Sequence, residues 1–128
     1  MKEIEKSLLL TDLCSRLSYG LKCEHFGEIK EVLGVFNDII QVGYDINDYE
    51  DTYIEDIKPY LRPMSSMTED EKFTYYQRIH DVGRSADVID EDDIVLHMDW
   101  LNEHHFDYRG LIGRGLALEA PDGMYELK

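Results

Sequence analysis

Hydrophobic and polar residues change period several times along the chain, and each change marks a predicted element. Leu10, Leu13, Cys14 and Leu17 recur at i, i+3, i+4 and i+7. That is the spacing of one helix face, so a short helix is expected over 7–17, ended by Gly20. Tyr19, Leu21 and Cys23 then alternate with Gly20, Lys22 and Glu24, as in a half-buried strand. Val32–Phe36 and Ile39–Tyr44 are rich in β-branched and aromatic residues and flank Asn37-Asp38. Both turn residues tolerate positive φ, which predicts a hairpin closed by a type I′ turn. Gly34 and Gly43 inside these strands predict a bulge or sharp bend.

Residues 45–56 carry six acids and no base, interleaved with Ile46, Tyr49, Tyr53 and Ile54. This reads as an exposed loop followed by a short strand over 52–57. Lys58-Pro59-Tyr60-Leu61-Arg62-Pro63 loses two backbone donors to proline, so an extended crossing segment anchored by Tyr60 and Leu61 is expected. Thr68-Glu69-Asp70-Glu71 matches a capping box, with Phe73, Tyr76 and Ile79 as the buried stripe of a helix running to Gly83. Asp90 can cap a further helix whose first turn holds Glu91, Asp92 and Asp93 and whose inner face is Ile94, Met98, Leu101 and His105. Gly110, Gly113 and Gly115 break regular structure after that helix. A helical turn over 116–120, a tight turn at Pro121-Asp122-Gly123 and a last strand at Met124-Tyr125 complete the expectation.

An N-terminal helix, several short antiparallel strands, two helices and a glycine-rich tail make an α+β protein. The close strand spacing and glycine bends suit a small curved sheet, one able to close into a partly open barrel. No repeat, low-complexity tract or long linker interrupts residues 1–128, so one domain is expected.

Charge narrows the partners. With 28 acids against 13 lysines and arginines, the formal net charge is -15. Such a surface repels nucleic-acid phosphates and anionic lipid over about 10 Å. A nucleic-acid reading would have to rest on Arg16, Lys22 and Lys30 alone, and is disfavoured. The longest apolar stretch, Leu8-Leu9-Leu10, is far short of the roughly 20 residues a bilayer span needs, so no membrane role is expected. Two cysteines, Cys14 and Cys23, do not make a disulfide framework. Both fall on segments read as buried, which together with the lack of a leader pattern predicts inert, reduced thiols in a cytoplasm.

The densest chemistry lies between His97 and Gly110, where three of five histidines and the only tryptophan fall. On a helix, His97 and His104 point the same way but are separated by about 10.5 Å of rise, too far to share a metal easily. A metal-assisted hydrolase or metal-binding alternative therefore rests on Asp93 with His97 at i, i+4, joined by His104 or His105. The simpler reading is a helix whose histidines complement its C-terminal pole. Asp45-Ile46-Asn47 begins like a calcium loop, yet Tyr49 occupies a ligand position, Glu50 the turn glycine, and Asp56 the closing glutamate. Gly110–Gly115 follows a helix rather than a strand, which removes a phosphate-cradle reading. No nucleophile motif is present and no cofactor is expected. What remains is acidic, tyrosine-dotted surface, and Tyr49, Glu50, Asp51, Tyr53 and Glu55 are the predicted contact face for a basic protein surface. The expectation is thus a non-enzymatic interaction module.

Three blocks carry a resemblance: Leu10-Thr11-Asp12-Leu13-Cys14-Ser15-Arg16-Leu17, the run Ile54 to Thr68 containing Ile57-Lys58-Pro59-Tyr60-Leu61-Arg62-Pro63, and Asp107-Tyr108-Arg109-Gly110-Leu111-Ile112 continuing through Gly115-Leu116-Ala117-Leu118-Glu119-Ala120-Pro121-Asp122-Gly123-Met124-Tyr125. In these blocks the chain resembles a family of small uncharacterised proteins of Bacteroides-group gut bacteria and their phages and mobile elements. The resemblance implies an intracellular protein from the cargo of a phage or mobile element. It brings no activity, cofactor or catalytic residue.

Overall fold

The computed structural model of the chain describes residues 1–84 and 91–125, and the side chains outside 78–94. It is α+β. Helix α1 (Glu3–Arg16) is followed by strands β1 (Lys22–His25), β2 (Glu28–Phe36), β3 (Ile39–Asp45), β4 (Asp48–Tyr53) and β5 (Ile57–Leu61). Helices α2 (Glu69–Arg84) and α3 (Glu91–Glu103) come next, and a two-residue strand β6 (Leu118–Glu119) ends the order. The sheet runs β4-β3-β2-β1-β5-β6 and is antiparallel except where β6 joins β5 in parallel. It does not close. A barrel needs strands long enough to tilt and stagger around a full turn, and β1, β5 and β6 hold only four, five and two residues.

Helix α1 starts four residues earlier than its apolar spacing predicts, with Glu3 and Glu5 at its positive pole and the Glu5 carboxylate accepting from the Lys2 N–H at 3.1 Å. Its buried face is also turned. Leu9 and Leu13 enter the core beside Asp12 and Arg16, while Cys14 is exposed, contrary to expectation. The cause is an ion pair. Arg16 Nε and Nη2 donate to the two Asp12 carboxylate oxygens at 2.9 and 3.1 Å, and Nη2 also donates to the Phe106 carbonyl at 2.6 Å. Two charged side chains one helical turn apart can be buried when they satisfy each other.

Three hairpins build the left side of the sheet. Phe26 and Gly27 both take positive φ (49° and 86°) and join β1 to β2, a turn the sequence pattern did not suggest. Asn37-Asp38 joins β2 to β3 as predicted, although only Asn37 takes positive φ, so the turn is not type I′. The expected acidic loop is instead the third hairpin. The Asp45 carboxylate accepts from the Asn47 N–H at 2.7 Å and reverses the chain into β4. A Cβ on Gly43 would overlap the Asp48 carbonyl and the Tyr49 backbone, so this close crossing requires glycine.

Segment 57–61 is a true strand despite Pro59, pairing with β1 from His25↔Ile57 to Cys23↔Pro59. Its other neighbour, β6, pairs only with Tyr60 and Leu61, so Pro59 has a paired strand on one side alone and its missing N–H costs no second ladder. Residues 116–120 form no helical turn, and Tyr125 docks from a turn rather than a strand. Its hydroxyl accepts from the Lys22 N–H and donates to the Tyr60 carbonyl, both at 2.8 Å, bridging β1 and β5 where their ladder ends.

One face of the sheet packs on α1. Leu9 and Leu13 meet Val32, Ile40, Val42, Ile57 and Leu61, with Leu111, Leu116 and Ala117 closing the end. A second cluster joins Met67, Trp100, Leu101 and Phe106, with Tyr75 and Met98 against it. The capping box of α2 forms as predicted, through Glu71 N–H to Thr68 Oγ1 (3.2 Å) and Thr68 N–H to the Glu71 carboxylate (2.9 Å). Among the described side chains of that helix, however, it is Tyr75 that packs inward, half-buried against the second cluster. Phe73 and Tyr76, expected in its stripe, are exposed. Ile79 and Ile94 have side chains outside the described set, and Asp90 lies outside the described residues.

Candidate functional site

Alternation along a strand sends successive side chains to opposite faces, and in β4 this sorts the acidic run. Glu50 and Thr52 stand opposite Val42 and Ile40 on the face that α1 covers. Tyr49, Asp51 and Tyr53 stand opposite Gly43, Gln41 and Ile39 on the other face. Phe36 pairs with Ile39 in turn, so Phe36, Ile39 and Tyr53 form one cross-strand row. Phe36 is 60% exposed, Tyr53 59%, Tyr49 51% and Ile29 49%. This outer face is therefore open along β2–β4 and carries aromatic and aliphatic surface around Asp51.

The five predicted contact residues are thus divided. Tyr49, Asp51 and Tyr53 share the open face. Glu50 is turned away and takes the Lys30 ammonium at 2.5 Å, which holds its carboxyl below the usual carboxylate range. Glu55 lies in the short helical turn after β4, where a hydrogen bond from Lys6 (2.8 Å) lowers it likewise. Phe36 and Ile39 carry no sequence signal as site residues, because only strand register brings them into a row with Tyr53.

Beneath β4, Thr52 Oγ1 lies 3.0 Å from His25 Nε2 and Glu50 lies 3.5 Å from His25 Nδ1. Hydroxyl, imidazole and carboxylate in this order match a nucleophile–base–acid relay. Lys30 breaks the resemblance. Its Nζ is 3.1 Å from His25 Nδ1 and has only donors, so Nδ1 must accept and Nε2 must carry the proton. A protonated Nε2 donates to Thr52 and cannot take its proton. The group is a buried polar strut. Cys23 nearby is buried, with its thiol pushed up to about 12 by burial and then by Glu24, and is inert.

The histidines near the end of α3 diverge. His97 packs at a tilt against Tyr75 (5.3 Å between ring centres) and His104 against Trp100 (4.5 Å). His105, with φ 60°, turns inward and stacks on Tyr125 at 3.8 Å. The side chain of Asp93 lies outside the described residues. Among those described, no group of three His, Cys, Asp or Glu side chains is arranged to hold a metal ion.

His104 also borders an open groove of about 600 Å³, together with Arg62, Ser66, Thr68, Glu71 and Tyr125. Arg62, Ser66, Thr68, Glu71 and the His104 Nδ1 are already engaged. Arg62 is bidentate to Glu71 at 2.6 and 2.7 Å and lies over the Phe106 ring, and His104 Nδ1 donates to the Trp100 carbonyl at 2.8 Å. Ser66 Oγ donates to the Pro63 carbonyl. Burial opposes the Glu71 charge, but Arg62 and the Thr68 N–H outweigh it and keep that carboxyl low. These contacts cap α2 and dock Arg62, and they hold those side chains in place on the protein itself.

No helix among the described residues is long and apolar enough to cross a membrane. No protein-family model, curated protein or solved structure matches the chain. The outer face of the sheet along β4 is the candidate site on geometry alone.

Proposed function

We propose that the chain is a non-enzymatic protein-interaction module that docks a basic partner surface on the open face of β2–β4. The observation that supports it is the cross-strand row of exposed Phe36, half-buried Ile39 and exposed Tyr53, beside exposed Tyr49 and Asp51 on β4, a strand with three acids and no base. Large apolar side chains gathered on one surface and rimmed by charge are the composition of an interaction site. Here the rim is acidic, so the complementary surface is cationic. The resemblance to proteins of phages and mobile elements suggests a host component as the setting.

Fluorescence anisotropy with a labelled oligolysine peptide tests this reading. Binding is expected at low salt and should weaken as salt screens the charge. The combined variant Tyr49→Ala, Asp51→Asn, Tyr53→Ala should lose most of it. A charge control, Glu69→Gln with Asp70→Asn on α2, removes two acids away from the face and should retain it. Equal binding by the face variant and the wild type would refute the site.

A further inference from the structure

We infer that the basic partner is an extended segment that adds to the sheet as a seventh strand along the free edge of β4. This rests on the docking reading above and specifies its mode.

β4 pairs with β3 on one side, and no described strand lies on the other. Its six residues offer about 20 Å of backbone edge. The opposite edge, β6, has two residues and offers almost none. Exposed edges are usually guarded by lysine, proline or a bulge. β4 contains neither residue, and the register shift falls between Gly43 and Asp45, at the turn. From Tyr49 to Tyr53 the pairing is uninterrupted. A regular run of N–H and C=O groups is therefore presented outward.

Its guard is electrostatic and selective. Glu50 is bound to Lys30, which leaves Asp48 and Asp51 along the edge. They repel another acidic strand, including a second copy of a chain with net charge -15, and attract a basic one. Tyr49, Asp51 and Tyr53 stand at i, i+2 and i+4 on the outer face. An added strand with Lys or Arg at every second position sets its cations beside Asp51 and against the two tyrosine rings, at cross-strand distances of about 5 Å. Its alternate residues face the Thr52 side, where the covered core begins, and suit threonine or valine. The partner chemistry is a basic segment of alternating pattern.

The test uses the full ¹⁵N-labelled chain and an acetylated peptide of about seven residues, enough to span β4, with lysine alternating with threonine or valine. Two further versions carry N-methyl groups on all odd or all even peptide bonds. Adjacent residues of a strand direct their N–H groups to opposite edges, so only one methylated frame can block pairing. The expected results are new hydrogen-exchange protection of β4 amides, affinity lowered by about tenfold or more in one frame, and little change in the other. Asp51→Lys should weaken the unmethylated peptide. Equal binding of both frames would overturn strand addition while leaving side-chain docking intact. No binding of the unmethylated peptide at low salt would remove the docking reading with it. Concentration-dependent self-association that protects β4 without peptide would assign the edge to a second copy and overturn the inference.

Discussion

The sharpest stability prediction concerns Asp12. Both Asp12 and Arg16 are fully buried, and the guanidinium reaches the Phe106 carbonyl while Arg109 Nε donates to the same carboxylate at 3.1 Å. Arg16 Nη1 already has no hydrogen-bond partner. Asp12→Ala therefore leaves a buried cation with the Phe106 carbonyl and the face of the Tyr108 ring in place of a carboxylate. Breaking one side of a buried pair costs about 3–5 kcal/mol, and the half-exposed Arg109 contact adds less than about 1 kcal/mol. For 128 residues the unfolding entropy near the midpoint is about 0.27 kcal/mol per degree, so a loss of about 4 kcal/mol lowers Tm by roughly 15 °C. Urea unfolding followed by the fluorescence of Trp100, the single tryptophan and a buried one, reads the loss directly. The double variant Asp12→Leu, Arg16→Met leaves only the solvent-accessible Arg109 without its partner and loses mainly the donor to the Phe106 carbonyl, about 1–3 kcal/mol. The single variant should thus be the less stable of the two. A cost below about 1 kcal/mol for Asp12→Ala, or a double variant less stable than the single, would refute this account of the network.

Two further perturbations probe the docking of the C-terminal segment. Tyr125→Phe removes the hydroxyl that bridges Lys22 and Tyr60, leaving a Lys22 N–H without its acceptor; a loss of about 1–3 kcal/mol and faster exchange of the Lys22 amide are expected, and unchanged exchange would contradict the bridge. Burial, then the Arg16 charge, push His105 down to about 4 from 6.5, against the pull of a hydrogen bond to the Tyr19 backbone. Above about pH 6.5 folded and unfolded chains both carry it neutral. As pH falls toward 4 the unfolded chain binds a proton the folded one refuses, so stability declines by up to about 3 kcal/mol across that window. A His105 ring signal titrating near 6.5 in the folded protein would show that the ring is not desolvated.

Features of the chain that were legible before folding are those made by residues close in sequence. Thr68 and Glu71 are three apart and cap α2 whatever surrounds them. Asn37-Asp38 turns the chain between two apolar runs because its own residues permit the reversal, and even there the detailed turn type depended on the strands it joins. The acidic run at 45–56 reads as loop because aspartate and glutamate have low strand propensity. β3 supplied a template with one face already buried, and Thr52 packs there beside Ile40, so propensity was overridden.

The candidate face illustrates the same division. Tyr49, Asp51 and Tyr53 could be picked out from composition, since tyrosines among acids are visible in any order of reading. That Glu50 and Glu55 are consumed by Lys30 and Lys6, and that Phe36 and Ile39 join the row, depends on register and on α1 lying across the sheet. The same holds for α1, where Asp12 and Arg16 count as polar in any hydrophobic pattern but bury as a neutral pair. Period and capping are local properties, written within one turn or one hairpin. Which charges cancel, which face stays open and which edge stays unpaired depend on partners far apart in sequence, 97 residues in the case of Asp12 and Arg109, and these are set only when the chain is packed.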